Sequence, residues 1–227
     1  KYGSSIKFLQ HSVQRGASAA RNTGLWVSRS EYVCFLDDDD IYLENRVKDS
    51  VLSLEKIENK DVGAVYCGFT GGGHHGNGED RFPSGNLFKE ILGLQYNKHF
   101  VNTDTVTYRR ESLVSIGGFN ESYMRHQDIE LNSRFLLSYK VYPIKKLNVL
   151  VRPQNQEKTF VPEFEKIYQL KKKIIYDFAH ELRELPKEDK EMIVENHIND
   201  VLKRKCVDND QAHFGKLKEE FMRLIDG

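Results

Sequence analysis

The chain has 227 residues, with 34 Lys+Arg against 34 Asp+Glu and so no formal net charge. That length suits one large domain, or one domain with a helical appendage, and it can bury a core without staples. Neutrality gives no electrostatic case for a nucleic-acid partner, and none is expected. The three cysteines, Cys34, Cys67 and Cys206, are scattered and form no CxxC pair. A reducing cytoplasm is therefore the expected setting. No apolar stretch approaches the ~18 residues of a membrane-spanning helix.

In chain order, Ile6 to Leu9 reads as a short strand and Ala17 to Val27 as an alanine-rich helix. Glu31 to Leu36 is a short, mostly apolar run, expected as a strand buried on both faces of a parallel sheet. Val47, Val51, Leu54 and Ile57 recur at helical spacing. Val62 to Tyr66 is the next strand, and the alternation argues for an α/β sheet flanked by helices. Gly71 to Pro83 reads as a polar, glycine-rich loop. Leu87 to Leu92 is expected to be a short helix, Thr105 to Tyr108 a strand, Ile129 to Leu137 a helix, and Val141 to Pro143 extended chain.

From 163 onward three helical stripes follow. Ile167, Leu170, Ile174, Phe178 and Leu182 form the first, Val194, Ile198, Val201 and Leu202 the second, and Phe214, Leu217, Phe221 and Leu224 the third. Pro186 and Asp208-Asn209-Asp210 mark the breaks. Residues 1–162 are thus expected as the sheet domain and 163–227 as a helical extension. The extension would pack on the sheet domain or on another subunit of a homo-oligomer. Lys171-Lys172-Lys173 reads as a solvated helix face, or as a contact with an anionic membrane surface.

Two acidic sites carry chemistry. Asp37-Asp38-Asp39-Asp40 closes the apolar run, and ligands of open α/β sheets bind beyond the carboxyl ends of strands. Four adjacent aspartates repel one another unless a cation compensates. Mg²⁺ takes oxygen ligands and is often shared with substrate phosphates. If strand geometry continued, Asp37 and Asp39 would face one side. The bland alternative is a solvated acidic turn. The second site is Asp128, which is either the N-cap of the helix it opens or a general base. Glu130, two residues on, faces elsewhere on the helix. His74-His75 lacks a carboxylate partner and reads as loop.

Three runs together resemble the family 2 glycosyltransferases of the GT-A fold, over about residues 5 to 155. Gly16-Ala17-Ser18-Ala19-Ala20-Arg21-Asn22-Thr23-Gly24 is similar to the family's G-x-x-x-A-R-N-x-G helix. Phe35-Leu36-Asp37-Asp38-Asp39-Asp40 resembles F-L-D-x-D-D. Gly117-Gly118-Phe119-Asn120-Glu121, followed by Gln127-Asp128-Ile129-Glu130-Leu131-Asn132-Ser133-Arg134, resembles G-G-F-D-E and E/Q-D-x-D/E-L-x-x-R, with Asn120 and Gln127 as departures. Gly85-Asn86-Leu87-Phe88 resembles the G-N-x-F segment before the acceptor region.

The resemblance implies a Rossmann-like mixed sheet flanked by helices and an inverting transfer of sugar from a nucleotide-diphosphate sugar. UDP is the family-level expectation for the nucleotide, and a glycan, lipid-linked or protein-linked hydroxyl for the acceptor. It assigns Arg21, Asp37 and Asp38 to the nucleotide, Asp39 to Mn²⁺ or Mg²⁺, and Asp128 to the catalytic base. Gly85, Glu130 and Arg134 fall on the acceptor side. The family's P-x-Y-N and D-D-x-S stretches do not occur in the chain, and the resemblance implies about 50 further residues upstream. No His ligand is expected, since none stands near Arg152 to Phe160. A nucleotidyltransferase and a non-catalytic carbohydrate-binding or scaffolding domain are the competing readings. The cysteine usage and the lysine run set the expected location in the cytoplasm or at the inner face of the membrane.

Overall fold

A computed structural model describes residues 6–71, 82–94, 101–152, 164–203 and 211–227. The expectations for most of the 71–83 loop, for His74-His75, Cys206, the segment 153–162 and Asp208-Asn209-Asp210 lie outside the described residues. The chain divides into two compact units: Lys1–Leu87 with Phe100–Arg152, and Phe88–His99 with Pro153–Gly227.

In the first unit, helix α1 (Ala17–Val27) leads to strands β1 (Tyr32–Cys34) and β2 (Ile41–Tyr42), helix α2 (Arg46–Lys56) and strand β3 (Val62–Gly71). A 3₁₀ turn (Thr103–Thr105) precedes strand β4 (Val106–Arg109), helix α3 (Arg110–Ser115), helix α4 (Gln127–Leu136) and strand β5 (Lys140–Val151). Among the described residues the strands form one sheet in the order β1-β4-β3-β5-β2. The β3/β5 ladder is parallel; β1/β4, β3/β4 and β2/β5 are antiparallel. The central strand β3 is buried on both faces, as is most of its neighbour β4, and the near-continuous apolar run of β3 fits that place.

The core under the sheet gathers Leu54 of α2, Val65, Cys67 and Phe69 of β3, and Ile144 and Val149 of β5. Each large apolar side chain fully buried there contributes about 1.5–3 kcal/mol. Arg109 ties α2 to β3. Its guanidinium donates to the carbonyls of Leu54 (2.7 Å) and Ile57 (3.0 Å) at the end of α2, and to that of Val62 (3.2 Å). Carbonyls at a helix C-terminus lack partners within the helix, and a cationic side chain satisfies them.

Several expectations are corrected. Ile6 to Leu9 forms no strand; it has no ladder partner among the described residues, and Ile6 and Phe8 stand exposed. The apolar run 31–36 yields only three strand residues, half-buried and paired with β4 alone. It ends at Cys34 because the Phe35 carbonyl is taken by the Tyr42 hydroxyl rather than by a ladder. The aspartates therefore lie in a turn, with Asp40 N–H donating to the Asp37 carbonyl at 3.2 Å. Strand alternation does not reach Asp37 and Asp39, as the turn preference of Asp explains. In α2 the inner face is Arg46, Ser50 and Leu54, while Val47 points to solvent.

The second unit holds a π-helical turn (Glu90–Leu94), then α5 (Phe164–Asp177), α6 (Ala179–Arg183), α7 (Lys187–Leu202) and α8 (Gln211–Asp226). The short helix expected at 87–92 is kinked at its end, where Gly93 leaves helical geometry at φ 155. The first apolar stripe breaks at Phe178 into two helices, yet Ile167, Ile174, Phe178 and Leu182 are all buried. Val194, Ile198 and Val201 bury their side chains from α7, as do Leu217 and Phe221 from α8. His197 meets the Leu92 carbonyl at 2.7 Å, and Asn196 donates to that of Gly93 at 3.0 Å, so α7 satisfies the loosened turn. Buried Lys171 pairs with Asp200 at 2.9 Å, so the Lys171-Lys172-Lys173 run is not one solvated face. Among the described residues no helix is long and apolar enough to cross a membrane.

Candidate active site

The site of the first unit is assembled from α1, the acidic turn, the 103–105 segment and the start of α4. Helix α1 forms on Ala17, Ala19 and Ala20, strong helix formers, and buries Ser18, Asn22 and Leu25 along one side. Asn22 is a clamp. Its Nδ2 donates to the Phe119 carbonyl (2.9 Å) and its Oδ1 accepts the Phe119 N–H (2.8 Å). Nδ2 also meets Glu121 Oε1 at 3.1 Å. This hydrogen bond, with Arg15 beyond it at 2.9 Å, holds the Glu121 carboxyl below its ordinary pKa. The first and third sequence motifs are thus bonded to each other.

Arg21, one position before that clamp, reaches the acidic turn. Its Nη2 lies 2.5 Å from Asp37 Oδ1, and its guanidinium sits 5.5 Å above the Phe119 ring. The other terminal nitrogen, Nη1, is buried with no hydrogen-bond partner among the described residues. Asp38 and Asp39 are exposed at the tip; Asp37 and Asp40 are half-buried. Asp40 Oδ1 accepts the Arg152 N–H at 3.1 Å.

Beneath the turn lies Asp104, a residue that sequence reading passed over. Its Oδ1 accepts the Asp37 N–H at 2.7 Å. Burial, and then the nearby Asp37 carboxylate, push its pKa up to about 7. Arg46 was missed as well. It is 1% exposed; one terminal nitrogen donates to Ser50 Oγ and to Thr107 Oγ1 (2.9 Å), the other to the Asp104 carbonyl (3.1 Å). Its guanidinium stacks 5.0 Å from the Tyr42 ring. A charged residue at helical spacing with Ser50 and Leu54 carries no sequence signal that it turns inward.

Asp128 is the second residue of α4, not its N-cap; that position is His126, at φ 54. Asp128 is half-buried, and its Oδ1 accepts the Ile129 N–H at 2.9 Å. Both Asp128 and Arg21 act on the phenol of buried Tyr108. Burial first, then the Asp128 carboxylate, raise the Tyr108 pKa, and the Arg21 guanidinium works against them. Arg21 is thus paired with Asp37, Asp128 and Arg21 both lie near Tyr108, and Asp38 and Asp39 follow Asp37 along the exposed turn. Glu130 and Arg134 are consumed by each other and by the glycine turn. Arg134 Nε and Nη2 meet the two Glu130 oxygens at 2.7 and 3.0 Å, and Arg134 also donates to the carbonyls of Ile116 and Gly118. Gly85, at φ 100, exchanges backbone hydrogen bonds with Val141 at 2.9 and 3.0 Å, a sheet role.

A cleft of about 950 Å³ opens between residues 6–15 and α1 and meets the acidic turn only at Asp38. Its size suits a small ligand, but Arg21, Asp37 and Asp128 are not in its walls, so the polar constellation is the better guide to chemistry. Among the described residues no three His, Cys, Asp or Glu side chains are gathered to hold a metal ion.

The glycosyl transferase family 2 model matches residues 1–117. The minor teichoic acid biosynthesis protein GgaA of Bacillus subtilis (strain 168) is 33% identical over 146 residues, 62% of this chain and 32% of that protein. The poly(ribitol-phosphate) β-N-acetylglucosaminyltransferase TarP of Staphylococcus aureus (strain N315) is 41% identical over 63 residues, 27% of this chain and 19% of that protein. The chain thus spans only about a third of the one and a fifth of the other. The crystal structure of S. aureus TarS 1–349 in complex with UDP-GlcNAc matches with a TM-score of 0.62 at 16% identity, covering 92% of this chain and 62% of that one. That likeness concerns the fold, which is the GT-A fold expected from the sequence. By the family model, which covers just over half of it, the chain belongs to glycosyl transferase family 2.

Proposed function

We propose that this chain carries the donor and base groups of an inverting glycosyltransferase, moving a sugar from a UDP-sugar to a hydroxyl of a glycan or polymer acceptor. One observation supports it most. Arg21, whose buried Nη1 has no partner among the described residues, stands against the acidic turn, and Arg21 and Asp128 both bear on buried Tyr108. An orphaned guanidinium nitrogen suits a diphosphate oxygen. Arg21, Asp37 and Asp38 would hold the nucleotide.

The residues fit a divalent cation of the kind held by one or two carboxylates and completed by substrate phosphates. Asp39 is an exposed carboxylate at the tip of a turn whose charges repel. Mn²⁺ or Mg²⁺ there would stabilise charge on the departing diphosphate. Asp128 takes the proton of the acceptor hydroxyl as its oxygen bonds to the anomeric carbon. The bond from that carbon to the diphosphate breaks on the opposite face, UDP leaves, and configuration inverts. Glu130 and Arg134 support the acceptor side indirectly, by fixing residues 116–118 against α4. Gly85 would shape that side through its bridge to β5. GgaA's teichoic acid role and TarP's poly(ribitol-phosphate) substrate favour a hydroxyl-rich polymer as acceptor. The free thiols of Cys34 and Cys67 accord with a cytoplasmic reaction.

Calorimetry with UDP, with and without Mn²⁺, tests the reading. Mn²⁺ should tighten UDP binding to the wild-type chain by about 10-fold, the size of one ~1.4 kcal/mol interaction, and Asp39→Ala should lose that increment. Unchanged Mn²⁺-assisted binding in Asp39→Ala would remove the metal assignment.

A further inference from the structure

Four consecutive acidic residues do not hold a defined turn by themselves. Their charges repel, and one 3.2 Å backbone hydrogen bond closes the turn from within. Two attachments come from beneath. Asp104 Oδ1 accepts the Asp37 N–H at 2.7 Å, and the Tyr42 hydroxyl donates to the Phe35 carbonyl. Both lead to Arg46, which lies over the Tyr42 ring and donates to the Asp104 carbonyl. The guanidinium takes the main chain of Asp104 and leaves its carboxyl group to the turn, where it holds the Asp37 N–H and lies near the Asp40 carboxyl group. Asp104 is 4% exposed, so the whole arrangement is packed.

We propose that Asp104 is a positioning residue: carried by Arg46 and Tyr42, it fixes the backbone of the acidic turn so that Asp37 meets Arg21 and Asp38 and Asp39 face outward. This rests on the reading of the turn as the nucleotide and cation site. A site residue is only as well placed as the residues that lock it. Asp104 acts through Asp37, with no contact to substrate required.

The test compares Asp104→Ala with Asp104→Asn in the full chain, by melting temperature and by UDP affinity in Mn²⁺. The alanine variant loses the hydrogen bond of the carboxyl group to the Asp37 N–H. The asparagine variant keeps an oxygen for the Asp37 N–H and gains an N–H₂ for Asp40. Asp104→Ala should weaken UDP by about 10-fold or more, the worth of a hydrogen bond to a charged group. Asp104→Asn should stay within about 3-fold of wild type, below the lower edge of that range. Wild-type affinity in a folded Asp104→Ala would overturn the proposal. Equal weakness in folded Ala and Asn variants would also overturn it, because charge and not placement would then matter. Should Asp104→Ala fail to fold, Tyr42→Phe removes only the hydroxyl bond of the other arm. It should weaken UDP binding, and wild-type affinity there would overturn the brace. A wild-type chain that binds no UDP would overturn the site reading and this inference together, whereas normal wild-type binding with unaffected variants sinks only the inference.

Discussion

Asp128→Asn is expected to give a folded chain that binds UDP like the wild type and transfers sugar about 10²–10⁴-fold more slowly, the usual cost of losing a general base. Folding should survive for three reasons. Asp128 is not the helix cap; His126 occupies that position. Asparagine keeps an Oδ1 to accept the Ile129 N–H. Removing one negative charge from the first turn of a helix costs only about 0.3–1 kcal/mol, and Glu130 remains there. UDP binding should survive because the groups assigned to it, Arg21, Asp37 and Asp38, belong to other elements. The measurement pairs UDP release from a panel of UDP-sugars, with hydroxyl-rich polymers as acceptors, with calorimetric UDP affinity. A wild-type rate in the variant would place the base elsewhere. An unfolded variant would make Asp128 a structural residue.

The sequence made the framework of the site readable because its signals are local. Alanine content marked α1, an apolar run marked β3, and one glycine pair marked the turn before α4. What it could not convey was which polar residues turn inward. Arg46 shares a helical face with Ser50 and Leu54, and a guanidinium is buried there only because Thr107, Asp104 and Tyr42 arrive from elsewhere in the chain. Asp104 reads as one more acidic residue in a Thr-rich stretch until the fold lays it beneath Asp37. The strand at Ile6 to Leu9 failed for a related reason. Pattern gives a segment's propensity, but a strand exists only with a partner to complete its hydrogen bonds. The same limit shortened the run at 31–36, where a tyrosine side chain took the carbonyl that a ladder would have used.

Gly117 and Gly118 look alike in the sequence, yet they should respond very differently to alanine. Both have left-handed backbones, at φ 82 and φ 68, where an L side chain costs roughly 1–2 kcal/mol. For Gly117 that is the whole penalty, because an added Cβ would meet nothing within 4 Å. At Gly118 the Cβ would stand 2.7 Å from Asn22 Oδ1 and 3.0 Å from Leu25 Cδ2. Asn22 cannot move aside freely, since that oxygen accepts the Phe119 N–H and its amide holds the Phe119 carbonyl and Glu121. Gly118→Ala should therefore add a lost clamp to the strain, for about 3 kcal/mol or more in total. At about 2–4 °C per kcal/mol for a chain of this size, its melting temperature should fall by roughly 6–12 °C, against about 2–8 °C for Gly117→Ala. The clamp also fixes Phe119, over which the Arg21 guanidinium lies, so UDP affinity should fall in Gly118→Ala and hold in Gly117→Ala. If the two variants melt together and bind UDP alike, the close approach of α1 to this turn is not what the second glycine serves.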